Sequence, residues 1–284
     1  MKRFFKSAVN VMAVLLAAAV LFSFAGCEEI KTVKLDFTVY NSKESKFYSD
    51  EDATALTVEL SRHLAPKTVD AVLAKVNEKY YDDTIFYIDT NYSTQIMIGD
   101  LKFVDGQVVQ NLKNGKTPTP FGAEFEANGT YGSNLKNEKG SIGLWRSYYA
   151  SNTDTYKTSN AFDSSMATLY FPTSTISSYD GYFCVFATFD ASSAAISAIK
   201  AVFDSSDTYT EYVIYFTGEY DANKKDENNG LTFHAVKAED FVEDKVDDLF
   251  TAEGDQLVCY NKKTVKIPVV NGEVYAKIKT ATVK

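Results

Sequence analysis

Alternating and helical spacings of apolar residues divide the first part of the chain into short elements. The stretch from Ile30 to Asp52 begins with alternating apolar and polar residues and continues as a polar linker, which predicts one strand and a connection. Ala55 to Leu60 alternates again and predicts a second strand. From Pro66 to Tyr80 the spacing is that of a helix. Its apolar face consists of Val69, Val72, Leu73 and Val76.

Short strands dominate the rest of the chain. A second helix is predicted over Ser192 to Phe203, with serines at its start, and an acidic helix over Ala238 to Phe250. Two runs around Asn271-Gly272 predict a hairpin. Many short strands with few helices indicate a mainly β protein with a closed or nearly closed barrel. The remaining predicted strands are Thr84 to Ile88, Gln95 to Ile98, Gly140 to Trp145, Thr168 to Phe171, Phe183 to Phe189 and Glu211 to Tyr220.

The first 27 residues have the composition of an export signal. Lys2, Arg3 and Lys6 precede an uncharged run from Ser7 to Gly26, which ends in small residues before Cys27. This ending resembles a bacterial lipoprotein signal, whose cysteine becomes diacylated after cleavage. We therefore predict that residues 1–26 are removed and that Cys27 anchors the protein to the extracytoplasmic side of the bacterial cell membrane. An uncleaved transmembrane anchor is the alternative, because the run is nearly long enough to cross a bilayer.

Composition excludes several kinds of function. The 284 residues include 29 Lys and Arg against 38 Asp and Glu, a net charge of −9, which argues against nucleic-acid binding. The two histidines, His63 and His234, lie far apart without the spacing of zinc ligands, so we expect no metal site. No glycine-rich phosphate loop or nucleophile elbow is present in the sequence, and we expect no cofactor.

Seven short motifs occur in an order typical of one family. The motifs are VEL at 58–60, APKTV at 65–69, YYDDTIF at 80–86, IGD at 98–100, FGAEFEANG at 121–129, GSIGLWRS at 140–147 and YDGYFCVFATF at 179–189. Their order and spacing resemble those of the cyclophilin-type peptidyl-prolyl cis-trans isomerases, from about Ala55 to Phe189 and again in the final strand.

The resemblance implies a fold and a domain organisation. The fold is a closed eight-stranded β-barrel with helices at its ends, here extended by a C-terminal α+β insertion at about residues 204–263. We accordingly divide the chain into the signal at 1–26, an N-terminal strand and linker at 27–54, and a cyclophilin-like barrel domain at 55–284. The partner that the family implies is an extended or proline-containing polypeptide.

The activity that the resemblance implies depends on one arginine. Rotation about an X–Pro bond faces a barrier of about 20 kcal/mol, and lowering it needs a groove that grips the proline and a hydrogen-bond donor, without metal or cofactor. In the family the donor is an Arg that follows Phe-His. The matching stretch here is Phe86-Tyr87-Ile88, so the Arg position is Ile88, which cannot donate. Arg146 is the candidate substitute, although a strand-end Arg is more commonly solvated.

The other groove positions also differ from the family pattern. The Phe that floors the proline pocket matches Thr94, and the family Gln matches Met97, with Gln95 as a candidate replacement. The loop between Phe86 and Asp100 is one residue longer than usual, so a shifted register over a working site is the alternative reading. The predicted groove consists of Tyr87, Thr94, Gln95, Met97, Trp145, Tyr170, Tyr179 and Phe183. Aromatic residues at strand spacing can equally belong to a core.

Two functions follow from these residues. The first is a prolyl isomerase or foldase that is tethered outside the cytoplasmic membrane and weakened by the loss of the Arg at position 88. The alternative is a non-catalytic cyclophilin-like surface module that binds a peptide or a partner protein. A structural envelope lipoprotein without a small ligand is a third interpretation.

Overall fold

The computed structural model describes residues 31–112, 121–129, 135–146, 165–217, 232–242 and 259–284. The predicted signal, Cys27 and most of the predicted acidic helix therefore lie outside the described residues. Within the described ranges, no helix is both long and apolar enough to cross a membrane.

The described residues form a mainly β protein with three α-helices, all strand pairs being antiparallel. The helices are α1 (Glu51–Thr54), α2 (Pro66–Asn77) and α3 (Ala194–Phe203). The strands are β1 (Thr32–Asn41), β2 (Lys46–Phe47), β3 (Ala55–Leu60), β4 (Ile88–Asp89), β5 (Gln95–Ile98), β6 (Leu101–Val104), β7 (Gln107–Gln110), β8 (Ser141–Arg146), β9 (Ser165–Pro172), β10 (Cys184–Thr188), β11 (Thr210–Thr217), β12 (Thr232–Lys237), β13 (Cys259–Ile267), β14 (Val269–Val270), β15 (Glu273–Val274) and β16 (Ala276–Val283).

One long sheet organises the fold. Its strands follow the order β16-β1-β3-β10-β8-β9-β5, with β2 attached to the end of β1. The N-terminal strand β1 lies between β3 and β16, and its register pairs Val33 with both Val58 and Val283. Twisted antiparallel strands coil, and this sheet is strongly curled, as in a half-barrel.

The two edges of this sheet approach a common segment at residues 83–87. The amide of Asp83 donates to Ile278 of β16, at 2.9 Å, and the amide of Tyr87 donates to Met97 of β5, at 3.0 Å. These contacts are isolated bridges and not a continuous strand ladder. The closed eight-stranded barrel expected from the sequence is therefore not confirmed, whereas the mainly β fold is.

Helix α2 confirms the helical spacing, since its buried face includes the four predicted residues from Val69 to Val76. It ends at Asn77, three residues before the predicted end. The buried carboxylate of Glu124 accepts hydrogen bonds from the amides of Lys67 and Thr68, at 2.6 and 3.0 Å. These amides lack partners within the helix, so Glu124 stabilises its first turn.

Three features of the fold differ from the sequence-based expectations. Helix α3 is confirmed, but Ser193 at its start makes no side-chain cap. The short helix α1 was missed; Asp50 caps it by accepting a hydrogen bond from Ala53, at 2.9 Å. The β6–β7 hairpin was also missed, although its turn has a clear signal: Asp105 and Gly106 both have positive φ, at 49° and 82°.

A second sheet lies on the C-terminal part of the chain, in the order β12-β11-β13-β4. Its edge strand β4 pairs with β13, with Val265 opposite Asp89 and Lys266 opposite Ile88, and it follows directly after Tyr87, which bridges to Met97 of the long sheet. Of the predicted acidic helix, Ala238–Asp240 forms a 3-10 helix. The predicted hairpin at Asn271-Gly272 is confirmed by the pairing of β14 with β15.

Apolar side chains on the two faces of the curled sheet form two clusters. The inner cluster joins the helices to one face and includes Val39, Phe86, Ile98 and Phe186. The outer cluster joins the opposite face to the second sheet. Its buried members are Ile85, Tyr87, Met97, Leu101, Val108, Tyr170, Tyr179, Phe183, Tyr212, Ile214, Val265, Ile267 and Val269.

Candidate functional site: an aromatic groove on the outer face

Most of the predicted groove residues come together in the outer cluster. Five of them are buried there, and Trp145 packs against them while remaining half-exposed. Gln95 is fully buried next to this cluster on β5. Thr94, in contrast, is exposed just before β5, so it forms no pocket floor. The five buried residues are Tyr87, Met97, Tyr170, Tyr179 and Phe183.

The aromatic residues fill one half of the groove by ring stacking. Phe183 stacks on Tyr179 and on Trp145, with centroids 4.4 and 5.2 Å apart. Tyr170 meets the Phe183 ring edge-on at 5.9 Å. Offset-stacked and edge-on pairs are the favoured arrangements of aromatic rings. The interpretation of these residues as a core is thus correct for the buried rings, and Trp145 forms their exposed margin.

Tyr170 is held in place by its backbone surroundings and by a hydrogen bond. A Cβ atom on Gly143 would lie 2.1 Å from the Tyr170 ring, so the ring needs a glycine beneath it. The Tyr170 hydroxyl donates to the side-chain oxygen of Asn137. The Asn137 amide groups donate in turn to Asp180, both at 2.9 Å. Burial raises the pKa of Tyr170 well above its ordinary value, which keeps the hydroxyl protonated as a donor.

Asp180 is the last residue of this chain of hydrogen bonds, and it is partly exposed to solvent. Partial burial raises its pKa, but the hydrogen bonds from Asn137 and the charge of Lys136 outweigh burial, and the net pKa is lowered. Asp180 therefore stays ionised, and Asn137 stays oriented towards Tyr170.

Neither Ile88, which occupies the family's arginine position, nor Arg146, the candidate substitute, provides an accessible hydrogen-bond donor. Ile88 is half-buried and packs against the inner cluster, away from the groove side chains. Arg146 is fully buried, with its guanidinium 4.5 Å from the Phe125 ring centroid and 4.9 Å from that of Phe183. Arg146 is therefore not solvated, and its charge faces aromatic rings instead of an open groove.

The other half of the groove contains polar groups. The Tyr87 hydroxyl donates to Asp100 at 2.8 Å. Burial raises the pKa of Asp100 and of Asp89, and the nearby charge of Lys263 partly opposes this rise. Both amide atoms of Gln95 are buried and have no hydrogen-bond partner in the described part of the chain.

The second sheet contributes to this polar half, which the sequence did not indicate. Lys263 places its ammonium 5.0 Å from the centroid of the Tyr87 ring. It occurs in a lysine-containing strand, NKKTVKI at 261–267, without a recognisable motif, and only the pairing of β13 with β4 brings it here. Asn137 likewise lies outside the family motifs.

The chemistry available to this site is non-covalent. Its aromatic margin offers apolar surface for a ring such as proline, and its polar half offers hydrogen-bonding groups. A cavity of about 160 Å³ lies elsewhere, beside α2, and none of the predicted groove residues lines it. Within the described residues, no group of three or more His, Cys, Asp or Glu side chains could hold a metal ion.

Comparison with known proteins agrees with the order of the motifs. A family model described as cyclophilin type peptidyl-prolyl cis-trans isomerase/CLD matches residues 47–217. No curated protein sequence matches the chain significantly.

Solved structures include similar chains. Two crystal structures are of a cyclophilin type peptidyl-prolyl cis-trans isomerase from Cryptosporidium parvum. The one in the presence of the dipeptide Ala-Pro has 13% identity, covers 72% of this chain and 95% of its own, and has a TM-score of 0.39. The other has 14% identity, covers 72% and 98%, and has a TM-score of 0.40. Because the family model matches more than half of the sequence, this chain belongs to the cyclophilin-type peptidyl-prolyl isomerase family.

Proposed function

We propose that this protein is an exported cyclophilin-type prolyl isomerase or foldase, lipid-anchored through Cys27, that binds extended proline-containing polypeptide and isomerises it weakly. The position of Ile88 is the observation that carries the proposal. Its side chain packs against the inner cluster, and its backbone pairs with Lys266 of the second sheet. The groove therefore lacks the arginine that the family uses, at the place where the family uses it.

Weak catalysis is expected because little of the transition-state stabilisation is left. A twisted X–Pro amide is stabilised by a donor that binds it more tightly than the planar amide. Arg146 is enclosed by Phe125 and Phe183, so it cannot supply this donor without rearrangement. Aromatic surface at Trp145 supports polypeptide binding without supplying catalysis.

A protease-coupled assay with a succinyl-Ala-Ala-Pro-Phe anilide tests the catalytic part of the proposal. We expect the folded protein to accelerate cis-to-trans conversion measurably above the buffer rate, which has a time constant of tens of seconds. If circular dichroism shows that the protein is folded and the conversion is no faster than in buffer alone, prolyl isomerase activity is excluded.

Anchoring is tested separately through Cys27. In cells, the wild-type protein should fractionate with membranes and Cys27→Ser should not, because acyl chains bind through buried methylenes. Membrane association of Cys27→Ser would instead favour an uncleaved transmembrane segment.

A non-catalytic binding module is the second candidate, and the filled groove favours it. Tyr170 occupies the space above Gly143, and the second sheet buries Tyr87 and Met97. For this candidate, Trp145→Ala should weaken peptide binding while no isomerisation is detected in the wild type. Unchanged binding in Trp145→Ala would place the binding surface elsewhere.

A further inference from the structure

The second sheet places a lysine at the polar half of the groove. Strand β13 is fixed there by its pairing with β4 and by the complete burial of Val265 and Ile267. Lys263 lies two residues before Val265 in the strand and therefore on the same face. This strand falls outside the range matched by the family model, so Lys263 has no counterpart among the family motifs.

The Lys263 ammonium is available for a ligand. Apart from the contact with the Tyr87 ring, it makes no hydrogen bond and no ion pair to any residue that the structure describes. The side chain is half-exposed. Its charge is close enough to Asp89 and Asp100 to influence both carboxyl groups. A cation with three unused donors, beside buried acceptors and an aromatic ring, can donate a hydrogen bond to a carbonyl oxygen.

The two other lysines of the strand provide a contrast. The ammonium of Lys266 lies 4.6 Å from the Tyr209 ring, and that of Lys262 lies 5.6 Å from Phe241. Neither ring belongs to the outer cluster. Of these three lysine–ring contacts, the one made by Lys263 is with a groove residue, Tyr87.

We propose that Lys263 is a substrate-binding residue that the second sheet supplies to the groove, where its ammonium donates a hydrogen bond to a main-chain carbonyl oxygen of the bound polypeptide next to the X–Pro bond. The inference rests on the proposed function, because it names the group that replaces the missing arginine. It explains how a cyclophilin-type domain with Ile88 can retain polypeptide binding and residual isomerisation.

The test compares Lys263→Met with Lys266→Met, a matched loss of one lysine from the same strand. Binding of succinyl-Ala-Ala-Pro-Phe is followed by NMR titration, and cis–trans interconversion by exchange spectroscopy. Hydrogen bonds from charged donors are the stronger ones, so Lys263→Met should weaken binding and isomerisation about tenfold. Lys266→Met should leave both unchanged, and Lys263→Arg should preserve them because it keeps a charged donor.

The outcomes separate this inference from the proposed function. If the wild type isomerises the peptide and Lys263→Met does so at the same rate, the role of Lys263 is wrong and the proposed function stands. Peptide binding without isomerisation, lost in Lys263→Met and kept in Lys266→Met, supports Lys263 while excluding the enzyme. If the wild type neither binds nor isomerises the peptide, both proposals are wrong.

Discussion

The inner and outer faces of the curled sheet are both buried, but they are built from different side chains. The inner cluster consists of aliphatic residues, phenylalanines and a few tyrosines, such as Val39, Phe86 and Ile98. The outer cluster contains Tyr87, Tyr170 and other rings beside polar groups. Buried side-chain atoms without a hydrogen-bond partner among the described residues include those of Gln95 and one oxygen of Asp100, on the outer side.

This difference indicates that the inner-face residues specify the fold, whereas the outer-face residues include polar groups that a ligand could bind. Removing apolar side chains from water is favourable, whereas buried polar atoms without partners carry a cost that a ligand can remove. The outer face is also buried by the second sheet, and two strands of that sheet, β12 and β13, lie outside the residues that the family model matches. We therefore expect substitutions on the inner face to have the largest effects on stability, and substitutions on the outer face to have smaller effects on stability and to affect binding.

The largest effect is expected for Phe86→Ala on the inner face. Phe86 is fully buried, and its ring lies edge-on to Phe37, with centroids 5.5 Å apart. The lost transfer energy and the resulting cavity should lower the free energy of unfolding by about 3–5 kcal/mol. Urea denaturation measures this loss, and Trp145→Ala at the exposed margin of the outer face should show a smaller one. An equal loss in both variants would contradict the comparison.

A smaller loss is expected for Tyr170→Phe on the outer face. It removes the donor to the buried Asn137 oxygen while keeping the ring over Gly143. An acceptor left without a partner should cost about 1–3 kcal/mol in the same denaturation measurement. Tyr212→Phe is the control, because the Tyr212 hydroxyl makes no hydrogen bond to the residues described. A loss no larger than that of the control would show that the Asn137 contact is unimportant.

A pH-dependent gain is expected for Asp100→Asn. Burial raises the pKa of Asp100 in the folded state, so the folded protein binds the proton more tightly than the unfolded chain. This carboxyl group therefore destabilises the fold increasingly as the pH rises above its unfolded pKa. The amide can still accept from Tyr87, and Asp100→Asn should be more stable than the wild type at about pH 7.

The gain should shrink as the pH is lowered through the raised pKa of Asp100, because the wild-type carboxyl then becomes protonated in the folded state. Thermal melts across this pH range measure the difference. Asp207→Asn, the same charge change at an exposed position, is the control. A gain in Asp100→Asn that does not depend on pH would rule out the carboxyl group as its cause.

The smallest effect is expected when the family arginine is restored. Ile88 packs against the inner cluster, so an arginine introduced by Ile88→Arg has no direct route to the outer groove. We expect no increase in the rate of isomerisation over the wild type in the protease-coupled assay. A clear increase would show that position 88 still belongs to the groove, as the unshifted register places it, and that the missing arginine limits the rate.

Periodicity predicted elements that bury one regular face, such as α2 with Val69 and Val76. The strand predicted over Gln95 to Ile98 matches β5, although all four of its residues are buried. The burial of Arg146 could not be predicted, because an arginine in a strand pattern is normally solvated and its aromatic neighbour Phe125 comes from a distant segment. Lys263 was missed for a related reason, since its position depends on long-range pairing between β13 and β4.

The position of β1 between β3 and β16 has a consequence for biosynthesis. This strand precedes the other strands of the long sheet in the sequence, yet it pairs with β16, which follows all of them, through Val33 and Val283. Until the last strand has been synthesised, β1 lacks one of its two neighbours and the long sheet retains an unpaired edge. Contacts between such distant segments form slowly. A nascent chain with this topology would thus complete its long sheet only after β16 has been synthesised.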